Sequence, residues 1–188
     1  KRVAPQLQSV VTVSGASAKD ISDDFNVDRS AISVMHLGVD SELFRPLPDK
    51  ERESHRLMTT ASADAPLKGL SVLLHAIASL RPDYPGIRLT LVGRPKPGGD
   101  TERLIASLGL ENVVESCNGI SHEEMVQKYA SASVAVVPSI YEGFGLPVLE
   151  AMTAGTPVVT TKMGSIPDVG GNAVVYAEPP DAPAIARE

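Results

Sequence analysis

Short apolar, β-branched runs alternate along the chain with stretches of helical periodicity. The runs fall at residues 9–14, 31–35, 57–61, 88–93, 113–117, 134–138, 157–161 and 173–176. Most are apolar at consecutive positions, the pattern of parallel strands covered on both faces. Between them lie helices. Over 67–80, Leu70, Leu73, Leu74, Ile77 and Leu80 recur on one stripe, and Pro82 stops the run. A second helix opens at Ser121, with Glu124 three residues on as a capping box and Met125, Val126 and Tyr129 following. A third begins near Leu146 and Pro147, where proline is tolerated because its missing N–H has no helical partner. Strand and helix in alternation predict an α/β fold, an open doubly wound parallel sheet.

Residues 46–55 are proline-rich, then charged, with no apolar run, and read as a linker. Upstream are two strands and one helix, too few for a core of their own. Downstream are about six strands, enough for a domain. The first residue is not Met and the chain stops within a helical pattern at 181–188, so the sequence is expected to be truncated at both ends.

Composition narrows the function classes. Lys and Arg number 17 against 23 Asp and Glu, a net charge of −6, which argues against a nucleic-acid partner that would need a basic face. A small anion is still allowed, because local donors outweigh global sign. The single cysteine, Cys117, excludes an internal disulfide framework and a cysteine-rich zinc site. No apolar stretch approaches the roughly 20 residues of a membrane helix. A reducing, cytoplasmic setting is the expectation.

In open α/β sheets ligands sit outside the carboxyl ends of the strands, so the loops after each apolar run carry the information. The loop at 139–147 is the richest. Gly143 and Gly145 flank Phe144 just before a helix, where bare backbone N–H groups and the helix start favour an anion. Glu142 precedes the glycines, and Glu150 lies one turn into the helix. Carboxylates accept hydrogen bonds from sugar hydroxyls, so two of them around a phosphate cradle suit a nucleotide sugar. Taken singly, Glu150 could complement the helix dipole and Glu142 could be a solvated loop acid; together, with the glycines between them, they favour the ligand. Lys68 stands at a helix start, where a cation faces the positive dipole end and is disfavoured unless an anion lies beside it. The plainer reading is a surface lysine. There is no Walker-type phosphate loop, and a dinucleotide fingerprint beginning at Gly143 fails at Val148. With no Asp-x-Asp triplet, a diphosphate site that needs no metal and no cofactor is expected.

The segment SIYEGFGLPVLEAMTAGTPVVTT is similar to the signature of the retaining glycosyltransferases of family four, which have the two-Rossmann-domain GT-B fold. PLKGLSVLLHAIASL resembles that family's phosphate-lysine helix, ISVMHLGVDSELFRP the close of its N-terminal domain, and GSIPDVGGNAVVY the segment after the signature. The resemblance implies that 1–45 are the tail of an acceptor-binding domain, 46–55 a linker and 56–188 the nucleotide-sugar-binding domain. It implies that Lys68 contacts the donor diphosphate and that amides of Phe144, Gly145 and Leu146 contact phosphate and sugar. Glu142 would hold hydroxyls of the transferred hexose, and Glu150 those of the ribose. Asn118, Gly119 and Ile120 would meet the base of the nucleotide (UDP or GDP) through their backbone, with Met125 packing nearby.

The acceptor (sugar, lipid or small molecule) would bind mainly to the absent N-terminal domain, and peripheral membrane association of the full protein stays open. Ser62 joins the donor set at the position where the family commonly has arginine; Arg94, Lys96 or the N-terminal domain would then supply the second phosphate cation. Leu37 stands where the family usually has asparagine. Retaining transfer with Lys68 and Glu142 as catalytic residues is the reading. A non-catalytic nucleotide-sugar-binding module and a GT-B epimerase are the alternatives.

Overall fold

In this computed structural model, residues 3–61, 65–178 and 180–188 are described. The chain begins with a parallel pair, β1 (Val10–Thr12) and β2 (Ile32–Val34), joined through helix α1 (Gly15–Phe25). Ser14 caps α1, its Oγ accepting from the Ser17 N–H at 3.0 Å. Ala18, Val27 and Ile32 form a small buried cluster here.

Six further strands make one parallel sheet: β3 (Glu53–Thr60), β4 (Arg88–Val92), β5 (Val114–Cys117), β6 (Ala132–Val137), β7 (Val158–Thr160) and β8 (Val175–Tyr176). Their spatial order is β5-β4-β3-β6-β7-β8. The connecting helices are α2 (Leu70–Leu80), α3 (Asp100–Ser107), α4 (His122–Ser131), α5 (Leu146–Thr153) and α6 (Ile166–Gly170), with α7 (Ala182–Arg187) last. Side chains alternate across a strand, so β6 feeds two cores at once. Val136 joins Leu73, Leu74, Ile77, Leu89 and Leu91 on one face, while Ala135 and Val137 join Met58, Tyr129, Val148 and Phe44 on the other. This double burial is why the strands read as continuous apolar runs.

Three local features depart from the sequence pattern. Strand β3 starts at Glu53, four residues before its apolar run and inside the proline-rich and charged stretch. Its first residues are exposed and are held through the backbone: Ser133 Oγ donates to the carbonyls of Glu53 and Arg56. Hydropathy carries no signal of such pairing. The helix expected over 67–80 starts at Leu70, because Pro66–Lys68 form a 3-10 turn and Gly69 takes a left-handed conformation with φ +65°. A Cβ on Gly69 would lie 1.9 Å from the Pro138 carbonyl oxygen, so the close approach of this turn to the end of β6 requires glycine. Helices α3 and α6 were not predicted. Thr101 is the one buried residue of α3, and α6 has five residues, so neither leaves an apolar stripe long enough to read.

The chain runs outward from β3 through β4 to β5, then returns to the other side of β3 at β6. The sheet therefore reverses direction between the carboxyl ends of β3 and β6, where open α/β sheets form their binding crevice. Among the described residues no helix is long and apolar enough to cross a membrane.

Candidate functional site

The turn after β3 and the loop after β6 meet at this switch point. Lys68, in the 3-10 turn, donates to Glu142 Oε1 at 2.5 Å, and Ser139 Oγ donates to the same oxygen at 2.9 Å. Glu142 is buried, so the ammonium and hydroxyl supply partners that water does not. Its main chain is gripped as firmly. The Glu142 carbonyl accepts from the Ser165 N–H at 3.2 Å and from Ser165 Oγ at 3.0 Å. Gly164, with φ +59°, passes so close that a Cβ there would lie 2.3 Å from that carbonyl oxygen. From the other side α1 reaches the same loop: Ser17 Oγ donates to the Gly143 carbonyl at 3.1 Å, and Tyr141 OH donates to Asp20 at 2.6 Å. That carboxylate acceptor raises the Tyr141 phenol above its usual range.

The loop ends at Gly145, the N-cap of α5, with Pro147 in the first turn. A helix cannot satisfy its first N–H groups internally, and the aligned peptide dipoles add partial positive charge there. One turn on, Glu150 accepts from Tyr129 OH at 3.0 Å. Burial pushes the Glu150 carboxyl up, against the opposing pull of Tyr129 and His122.

Lys68, Met125, Glu142, Gly143, Phe144, Gly145, Leu146 and Glu150 line one hollow of about 550 Å³, with Val13, Leu37, Thr60 and Pro147 completing its wall. A neighbouring hollow of about 380 Å³ shares Thr60, Lys68, Met125 and Pro147 and extends to Asn118, Gly119 and Ile120. The two form a groove of the size of a small-molecule site. Eleven of the twelve residues singled out from the sequence lie along it; the twelfth, Ser62, lies outside the described residues. Arg94 and Lys96 are exposed and line neither hollow. Among the described residues no cluster of His, Cys, Asp and Glu is arranged to hold a metal ion.

Sequence reasoning missed the supporting residues. Ser139, Ser165 and Tyr129 carry the hydrogen bonds that fix the two acids, and Gly164 and Ser165 stand 22 and 23 residues from Glu142. The signal for Ser139 was its place directly after an apolar run. Nothing local marks Ser165 or Tyr129, because their roles depend on which elements become neighbours.

Residues 48–188 match the family model described as glycosyl transferases group 1. The chain is 48% identical over 171 residues to an MMP alpha-(1->4)-mannosyltransferase of Mycolicibacterium hassiacum, covering 91% of this chain and 41% of that protein. It is 33% identical over 179 residues to a D-inositol 3-phosphate glycosyltransferase of Mycolicibacterium smegmatis, covering 89% and 40%. Among solved structures, sucrose-phosphate synthase from Thermosynechococcus elongatus superposes with a TM-score of 0.82 at 25% identity, over 99% of this chain and 49% of that one. The chain thus spans about two-fifths of the length of the curated relatives it matches. The six-stranded sheet is the Rossmann-like α/β fold of the GT-B glycosyltransferases. By sequence match and by fold alike, the chain belongs to the group 1 glycosyl transferases, corresponding mainly to their C-terminal domain.

Proposed function

We propose that this chain is the donor-binding part of a retaining glycosyltransferase that moves a hexosyl group from a nucleoside-diphosphate sugar to an acceptor hydroxyl. One observation carries the reading: Lys68, Glu142, the start of α5 and Glu150 lie along one groove at the switch point of the sheet. Residues 56–188 form the donor domain in this reading, 46–55 the linker and 1–45 the tail of the acceptor domain. The resemblance to a mannosyltransferase at 48% identity supports mannose as the transferred sugar.

The proposed chemistry is the retaining transfer that the family resemblance implies. The bond from the sugar C1 to the β-phosphate oxygen breaks, and its electron pair stays on that oxygen. The acceptor hydroxyl bonds to C1 on the same face and gives its proton to the departing phosphate. Negative charge grows on the phosphate, where the Lys68 ammonium and the first N–H groups of α5 would meet it. Glu142 orients sugar hydroxyls and does not attack C1. Ser139 and Ser165 keep it in place. Glu150 holds the ribose. No metal or cofactor takes part. The chain by itself is silent in turnover, because donor and acceptor must be held together by two domains.

The test is a thermal-shift and calorimetry panel of GDP, UDP, ADP and their sugar conjugates on this chain, with and without a chelator. The expected result is saturable binding of one nucleotide series, unchanged by the chelator and weakened by Glu150→Ala. Absence of binding across the panel, or equal affinity in the Glu150→Ala chain, overturns the assignment.

A further inference from the structure

Tyr129 is 1% exposed and sits on α4, outside the lining of the groove. Its surroundings fix it firmly. The ring meets Phe44 edge-on at 6.3 Å between centroids, and its carbonyl accepts from Thr156 Oγ1 at 2.7 Å. Only the phenol end leaves this packing. It crosses from α4 to α5, donates to Glu150 Oε2 at 3.0 Å and lies 3.4 Å from the Pro147 carbonyl oxygen. Burial and the neighbouring carboxylate hold the phenol proton on well above its ordinary pKa of 10.0, so the group acts as a donor.

A glutamate has three side-chain torsions and two equivalent oxygens. Left free, it must be ordered when a ligand arrives, at a cost in side-chain entropy. A rigid donor on one oxygen does that ordering in advance and leaves the other oxygen, with its two acceptor positions, for the groove.

We propose that Tyr129 is the positioning residue for Glu150: its hydroxyl anchors one carboxylate oxygen so that the other meets the vicinal hydroxyls of the donor's ribose. The proposal rests on the ribose reading of Glu150, and the experiment separates the two. GDP, UDP and ADP, each with its dideoxyribose counterpart, are titrated into the chain by calorimetry. The wild-type chain is expected to prefer the ribose form of its nucleotide by roughly tenfold, as for hydrogen bonds to a charged group. Glu150→Ala is expected to abolish that preference, and Tyr129→Phe, which keeps the ring, to reduce it to about twofold.

A wild-type chain that binds both forms equally sinks the ribose reading itself. A wild-type preference lost in Glu150→Ala but kept whole in Tyr129→Phe overturns the positioning role alone, and a drop in Tm with the preference intact has the same meaning. If Tyr129→Phe does not fold, Glu150→Gln and Tyr129→Phe/Glu150→Gln replace the pair, since neither leaves a carboxylate unpaired. A ribose preference present in Glu150→Gln and lost in the double variant supports the positioning role, and the same preference in both overturns it.

Discussion

At one end of the groove a buried carboxylate is held from every side. Glu142 takes Lys68 and Ser139 on its side chain and Ser165 on its carbonyl, with Gly164 pressed against the same carbonyl. At the other end Asn118 and Gly119 are exposed, and a Cβ on Gly119 would meet nothing within 4 Å. The charged end is over-determined, which is what the proposed role of meeting growing phosphate charge without reorganisation would require. In the proposed reading the far end offers backbone to the flat ring of the base, and many side chains would serve there equally well.

The comparison is broken most directly at Lys68. In the full protein Lys68→Ala is expected to lower turnover at least a hundredfold, as for other lost donors to developing charge. Turnover within a few-fold of wild type would remove the lysine from the chemistry.

The glycines give a sharper contrast. Gly164 and Gly119 share a left-handed backbone, with φ +59° and +68°, yet only Gly164 has a neighbour to strike. Alanine at Gly119 should cost about 1–2 kcal/mol from the backbone alone. Alanine at Gly164 should cost that plus the displacement of Glu142, and should weaken donor binding as well. Urea melts and calorimetry on the two variants check this, and equal losses in both would mean that the Gly164 contact does not hold the loop.

A smaller effect is expected at Glu150. Burial raises its folded pKa above the ordinary 4.5. Its contribution to the fold is therefore present below the unfolded pKa and is lost as pH rises through the folded value. Glu150→Gln should melt higher than wild type at neutral pH, with the gap closing in acid near pH 4. A gap that widens in acid would contradict the burial account. The smallest effect belongs to the open end, where Asn118→Ala should change nucleotide affinity by no more than about twofold.

Much of the site was legible because charge chemistry restricts residue type. Two acids around a glycine pair, and a lysine where the helix dipole disfavours it, are unusual as surface decoration. They point to one shared hollow before any coordinates exist, and the structure gathers them along one groove. The central strand runs, β4, β6 and β7, were legible because both sheet faces are buried there, which leaves no polar alternation to blur them. What stayed hidden was either too short to carry a period, as in α6, or held by backbone pairing, as in the first residues of β3.

The sequence by itself determined the α/β class, the helix starts at Ser121 and Leu146, and the residue types at the charged end of the groove. These follow from local periodicity, capping and charge placement, all readable within a few residues. Only the tertiary structure decided that β3 and β6 are neighbours, and with it that Lys68 reaches Glu142 across 74 positions and Tyr129 reaches Glu150 across 21. Pairing of distant strands depends on how whole faces pack, and no local stretch of chain carries that information.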